Sequence, residues 1–63
     1  MICKIFIRMD NAAFQDNGHA QELCNILHEL LSKLEMSEVA PGLGHEAQDS
    51  NGNNAGILVI EDD

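Results

Sequence analysis

The sequence contains little that could build an aromatic core or a basic surface. It has no Trp, no Tyr, two Phe, one Pro and two Cys, and only three Lys and Arg residues against eleven Asp and Glu. Two cysteines form at most one bridge, and no apolar run approaches the ~20 residues of a membrane-spanning helix. We therefore expect an aliphatic core, no disulfide framework and no membrane span.

The formal net charge is −8 on a chain of 63 residues. Phosphate backbones repel such a surface, so direct binding of nucleic acid is not expected. A negative field would instead steer a basic protein partner toward the chain, or only keep the chain soluble. Net charge alone does not decide between these two interpretations.

The length predicts a single small domain over residues 1–63. A chain of this size buries only about 60% of the surface of its unfolded form, so oligomerisation is one route to stability. Lys and Arg interleave with apolar residues near the N-terminus, unlike in a signal peptide. With free cysteines expected, the cytoplasm is the predicted location.

Alternating hydrophobicity predicts a first strand from Ile2 to Met9. The face expected to contact the core is wholly apolar. The opposite face carries Ile2 and Phe6 between two cations, which a solvated face would not normally carry. The members of the core face are Cys3, Ile5, Ile7 and Met9.

Helical periodicity is clearest from His19 to about Met36, after a connector over Asp10 to Gly18. Any of the last three connector residues could cap this helix. Pro41 prevents the helix from continuing. The apolar stripe consists of Ala20, Leu23, Leu27, Leu30, Leu31 and Leu34.

The C-terminal third predicts a hairpin. Asn51-Gly52 favours a type I′ turn, Ile57 to Ile60 is a strongly apolar strand, and Leu43 to Asp49 is a more polar edge strand. The expected fold is α+β, in the order β-α-β-β, with a three-stranded antiparallel sheet and one helix packed on one face. The last strand is predicted to lie in the centre.

One helix cannot cover both faces of a sheet. Ile2, Phe6 and alternate members of Ile57 to Ile60 would stay exposed on the uncovered face, and an exposed apolar patch often marks an interface. We therefore predict a homodimer with Ile2 and Phe6 at its interface.

No catalytic or metal signature emerges from the residues. Cys24 and His28 are four apart on the helix, but further ligands would have to come from separate elements, and zinc needs three or four. The Asp49 to Asn53 segment lacks the Gly and Glu positions of a calcium loop. We expect no enzyme activity, no cofactor and no metal, with Cys3, His19 and His45 as the remaining unused candidates.

The acidic residues expected to face outward form the predicted partner-binding set. They would bind a basic surface of a host protein complex by charge complementarity. The set consists of Glu22, Glu29, Glu35, Glu38 and Glu46.

Three segments together resemble a group of short proteins encoded in bacterial phages, prophages and other mobile elements. They are the Asp10 to Phe14 connector, the Ile-Leu-x-x-Leu helix pattern, and the turn from Asp49 to Asn53. The resemblance implies an interaction protein aimed at host machinery and carries over no catalytic residue. Where many of these proteins have Arg in the helix and hairpin, this chain has His28 and His45.

Two hypotheses follow. In the first, the chain is an acidic inhibitor of a host nucleic-acid-handling complex, similar in size and charge to those anti-CRISPR proteins that imitate DNA. In the second, it is a small homodimeric structural or regulatory module whose apolar sheet face is its working surface.

Overall fold

The computed structural model describes residues 1–63 and confirms the α+β fold. A three-stranded antiparallel sheet has the order β1-β3-β2, so the C-terminal strand lies in the centre as predicted. The elements are β1 (Ile2–Ile7), α1 (Ala12–Asn17), α2 (His19–Glu35), β2 (Gly44–Gln48) and β3 (Asn54–Glu61). Neither helix is long and apolar enough to span a bilayer.

The predicted connector after β1 is in fact the short helix α1, which buries Ala13 and Phe14. Phe14 is completely buried and is the largest side chain of the core. The connector prediction failed because the segment is short, and its N-cap residue Asn11 makes no side-chain capping hydrogen bond. Gly18 separates α1 from α2, which then begins at the predicted His19.

The core lies between the helices and strands β2 and β3. Ile26 and Leu30 of α2 pack over this part of the sheet, and the remaining members of the buried cluster are Phe14, Ala47, Ala55, Leu58 and Ile60. Helix α2 packs against α1 and, among the strands, chiefly against β2 and β3. The core is therefore offset toward one side of the sheet.

Gly56 of β3 lies directly beneath Ile26 of α2. A Cβ atom built on Gly56 would lie 2.9 Å from Cγ2 of Ile26, closer than side chains pack. The absent side chain thus lets the helix rest directly on the central strand.

The hairpin turn differs from the type I′ prediction. No residue other than glycine has a positive φ, so Asn51 does not, whereas Gly52 has a φ of 85°. The N–H of Gly52 donates to the carbonyl of Asp49 at 3.0 Å, and the N–H of Asp49 donates to the carbonyl of Asn53 at 2.8 Å. This pattern matches a longer hairpin loop that ends in a left-handed glycine.

The offset of α2 also corrects several expectations about burial. In the predicted buried stripe, Ala20 is exposed and Leu31 is 52% exposed. On the predicted core face of the first strand, Cys3 is exposed, Ile5 is 45% exposed, and Met9, which lies beyond the end of β1, is 40% exposed. Ile5 does lie on the helix side of the sheet, opposite the buried Leu58. It is exposed because α2 does not extend over β1.

Candidate interaction surface

Strand β1 carries apolar side chains and is uncovered along almost its whole length. Five of its six residues are exposed and the last, Ile7, is half-buried. It lies at an edge of the sheet, with β3 as its only neighbour. The strand is therefore open on both faces and along its outer edge.

The face of the sheet away from α2 carries the predicted apolar patch. Phe6, at 60% exposed, pairs directly with Ile57, and Ile2 lies farther along the same face of β1. Phe6 and Ile57 also border an open depression of about 310 Å³ that extends to Glu46 of β2. The placement of Ile2 and Phe6 on an uncovered face agrees with the sequence prediction, and their role in a dimer stays a prediction.

The outer edge of β2 is closed by side chains of α2. Lys33 Nζ donates a hydrogen bond to the carbonyl of Glu46, and Glu29 Oε2 accepts one from the N–H of Gln48 at 3.3 Å. Lys33 and Glu29 also form an ion pair of 3.1 Å. His45 lies 2.6 Å from the hydroxyl of Ser37, just beyond the helix.

Glu22 corrects one member of the predicted acidic surface. Its exposed fraction is 0%, so it does not face outward and cannot contribute to a surface that a partner contacts. The hydroxyl and the N–H of Ser50 donate to its two carboxylate oxygens at 2.5 and 2.8 Å, and the amide of Asn17 donates at 3.0 Å. Sequence reasoning missed this because a lone Glu in a first helical turn ordinarily faces solvent.

Asp49 is the second buried carboxylate and organises the hairpin loop. Its Oδ1 accepts the N–H groups of Asn51 and Asn53, each at 2.9 Å, and its Oδ2 accepts the amide of Asn11 at 3.0 Å. No buried side-chain nitrogen or oxygen lacks a partner. The two carboxylates therefore join the hairpin loop to α1 and α2, and their arrangement is structural.

Hydrogen bonds hold both carboxylates in the ionised form. The hydroxyl of Ser50 is the main cause that lowers the pKa of Glu22, and the N–H of Asn53 is the main cause that lowers the pKa of Asp49. The negative charge of Asp49 acts in the opposite direction and raises the pKa of Glu22. Donated hydrogen bonds outweigh the effect of burial on the pKa of both groups and, at Glu22, also the repulsion from Asp49.

The other members of the predicted acidic set are dispersed. Glu29 is partly buried against the β2 edge, Glu35 ends α2, Glu38 follows it, and Glu46 lies on the sheet face away from α2. The structure thus brings none of them into a compact cluster with Glu22. Their role in partner binding stays a prediction.

Every Lys and Arg side chain lies beside a carboxylate. Lys4 pairs with Glu61 at 2.7 Å, Arg8 lies 3.6 Å from Asp10, and Lys33 pairs with Glu29. The exposed acids that make no ion pair and no side-chain hydrogen bond are Asp16, Glu35, Glu38, Glu46 and Asp62. The electrostatic field at the surface is therefore negative, because every Lys and Arg side chain has an acidic neighbour and five exposed acids have no cationic one.

The residues considered for metal binding or catalysis are not assembled. Cys3 and Cys24 are free and exposed. No three His, Cys, Asp or Glu side chains lie close enough together to hold a metal ion.

Neither a family model, nor a curated protein, nor a solved structure matches this chain.

Proposed function

We propose that the chain is a non-enzymatic interaction module that works as a homodimer, with its interface on β1. The observation that carries this proposal is the exposure of an apolar edge strand on both faces. Small chains of this length gain stability by oligomerisation, and exposed apolar patches commonly mark interfaces. A second copy of the chain would cover surface that α2 leaves open.

Light scattering coupled to gel filtration tests this proposal. The wild-type chain should elute with twice the monomer mass, under reducing conditions so that cysteine oxidation plays no part. Phe6→Lys replaces an apolar contact of the proposed dimer with a charge, and should weaken association by at least about tenfold. A wild-type monomer at high micromolar concentration would overturn the proposal.

Val39→Lys is the matched control. Val39 is 46% exposed, comparable to the β1 residues, but lies in the segment between α2 and β2. It should leave the dimer unchanged. Circular dichroism of both variants separates a lost interface from a lost fold.

A second candidate function is supported by the absence of any unpaired cation on the surface. In this proposal the chain derives from a mobile element and acts in the cytoplasm. It binds a basic surface of a host nucleic-acid-handling complex, such as a CRISPR effector, and prevents that complex from binding DNA. Electrostatic steering would make the association fast and sensitive to salt.

Titration of the chain into a CRISPR effector, with DNA binding as the readout, tests the second candidate. The triple variant Glu35→Gln, Glu38→Gln, Glu46→Gln should weaken inhibition by at least about tenfold, since each lost charge pair contributes on the order of 1 kcal/mol. Asp16→Asn with Asp62→Asn is the control, because these exposed acids lie outside the predicted set. Normal effector activity at saturating protein would contradict the proposal.

A further inference from the structure

We infer that the homodimer forms by antiparallel pairing of β1 with β1 of a second copy, with Ile5 opposite Ile5 at the two-fold axis. This inference rests on the proposed homodimer and specifies its geometry. The two three-stranded sheets would join edge to edge into one continuous sheet. Both α2 helices would then lie on the same side of that sheet.

The hydrogen bonds between β1 and β3 show which backbone groups are free. The N–H of Arg8 donates to the carbonyl of Ala55 at 2.8 Å, so Arg8 belongs to the class of residues that bond to β3. Opposite residues of an antiparallel pair alternate between bonded and non-bonded pairs. The remaining class therefore directs its N–H and C=O groups away from β3, and its members are Cys3, Ile5 and Ile7.

The other side of β3 confirms the alternation. The N–H of Ile60 donates to the carbonyl of Leu43 at 2.9 Å, so Ile60 bonds toward β2 and away from β1. Its register partner on β1 is Cys3, which therefore has no bond from it. Three residues of β1 thus present unpaired donors and acceptors to the outside of the sheet.

The opposite edge of the sheet is not available for such pairing. Lys33 and Glu29 of α2 already occupy the carbonyl of Glu46 and the N–H of Gln48. A register shift between Ala47 and Gln48 further interrupts that edge. Edge strands that are not interfaces are commonly blocked by charges and bulges of this kind.

Among the registers that align the free backbone groups, the one centred on Ile5 pairs all three free residues of β1. With Ile5 opposite Ile5, Cys3 lies opposite Ile7, and Lys4 lies opposite Phe6, where its ammonium can contact the ring. Three pairs then exchange about six hydrogen bonds in total.

The neighbouring registers place like charges together. A shift of two residues in one direction puts Lys4 opposite Lys4, and a shift in the other direction puts Lys4 opposite Arg8. Like charges directly opposite each other destabilise a strand pair. The register centred on Ile5 avoids both pairs.

Disulfide trapping tests this geometry. In a chain with Cys3→Ser and Cys24→Ser, Ile5→Cys places two thiols at the two-fold axis. Their Cα atoms would lie about 5.5 Å apart, within the range that a disulfide bridges.

Two matched single-cysteine chains are the controls. Phe6→Cys in the same background would place its Cα atoms roughly 8 Å apart, because the pair is displaced by two residues along the strand. The chain that keeps native Cys3 and carries Cys24→Ser would place them about 14 Å apart. Both distances exceed the limit for a bridge.

The expected result is a covalent dimer of Ile5→Cys that forms at least about tenfold faster than either control, since only its Cα atoms lie within the range that a disulfide bridges. Hydrogen exchange on the unmodified chain gives a second readout. The amides of Ile5 and Ile7 should exchange slowly when the chain is concentrated and fast when it is dilute.

The outcomes separate the two proposals. If light scattering shows a dimer but Phe6→Cys is trapped fastest, the register centred on Ile5 is wrong, because Phe6 lies opposite Phe6 in the register that places Lys4 opposite Arg8. If these amides never gain protection, the edge pairing itself is wrong. In both cases the homodimer stands. If light scattering shows a monomer at every concentration, the homodimer and the edge pairing both fail.

Discussion

The two edges of the sheet flank the same central strand and differ in almost every property. Leu58 of β3 has Ile5 beside it on β1 and His45 beside it on β2. On the β2 side, α2 covers the face of the strand and its side chains form hydrogen bonds with the outer edge. On the β1 side, no helix side chain bonds to the outer edge. The difference shows that a single helix can cover one half of a small sheet and leave the other half exposed.

The polar connections also lie on the β2 side. Glu22 ties α2 to the hairpin loop through Ser50, and Asp49 ties that loop to Asn11. The β1 side has only the exposed ion pairs of its surface cations. We therefore expect substitutions on the two sides to affect different measurements, folding stability on one and self-association on the other.

The largest expected effect comes from making the β1 edge resemble the β2 edge. In the proposed dimer, Ile5→Lys would place two ammonium groups opposite each other and remove two aliphatic side chains from the interface, each worth about 1.5–3 kcal/mol when fully buried. Self-association measured by sedimentation should weaken by at least about a hundredfold. The fold should persist, because Ile5 is already 45% exposed in the monomer.

His45→Lys is the control in the same row of the sheet. It removes the contact with Ser37 and should lower the free energy of unfolding by about 1 kcal/mol without changing the dimer. Equal loss of self-association in both variants would contradict the distinction between the edges.

The next largest expected effect is a loss of folding stability at low pH. The folded chain holds the pKa of both Glu22 and Asp49 below their usual values. The ionised carboxylates therefore contribute stability at neutral pH, and this contribution is lost as the pH falls below the ordinary range of these groups, near pH 4. Thermal unfolding followed from pH 7 to pH 2 should show this acid destabilisation.

Glu22→Gln should lower stability at neutral pH and make the acid limb of that profile shallower. The amide cannot accept all three hydrogen bonds that the carboxylate receives. Glu35→Gln, an exposed acid without such bonds, should reproduce the wild-type profile. A Glu22→Gln profile that is parallel to wild type would show that this carboxylate is not the acid-sensitive group.

The smallest expected effect is on the free energy of unfolding, when Lys33 of α2, which contacts the β2 edge, and Lys4 of β1 are each replaced. Lys33→Met removes the hydrogen bond to the Glu46 carbonyl and the ion pair with Glu29, and should cost about 1 kcal/mol, or roughly 4–8 °C in Tm. Lys4→Met removes an exposed ion pair with Glu61 and should cost at most about 0.5 kcal/mol at concentrations where the chain is monomeric. Calorimetry on the two variants should rank them in this order, and the reverse order would contradict the capping role of Lys33.

Sequence reasoning predicted the regular elements because their signals are local. Three patterns each indicate an element: the period-two alternation of β1, the Leu-rich stripe of α2 and the aliphatic run of β3. Strand order followed from the relative polarity of the strands. Helix α1 was missed because six residues without a capping side chain leave little pattern.

The interaction surface was predicted only in part, for a physical reason. Periodicity indicates that Ile5 and Leu31 turn toward the helix–sheet space, but it does not indicate which strands the helix covers. Burial of Glu22 was equally invisible, because it depends on Ser50, which is 28 residues away in the chain. Both errors concern distances between elements, which no local pattern encodes.

The different cover of the β1 and β2 sides of the sheet depends on one small residue, Gly56, against which α2 packs. One hydrogen atom in place of a methyl group lets Ile26 touch the central strand, with Ala47 of β2 and Ile7 of β1 also beside that position. Alanine at this position would force α2 to move away from the sheet or along it. The helix would then cover different areas on the β1 and β2 sides. The residue at position 56 thereby determines how much of the sheet stays exposed to contact from another molecule.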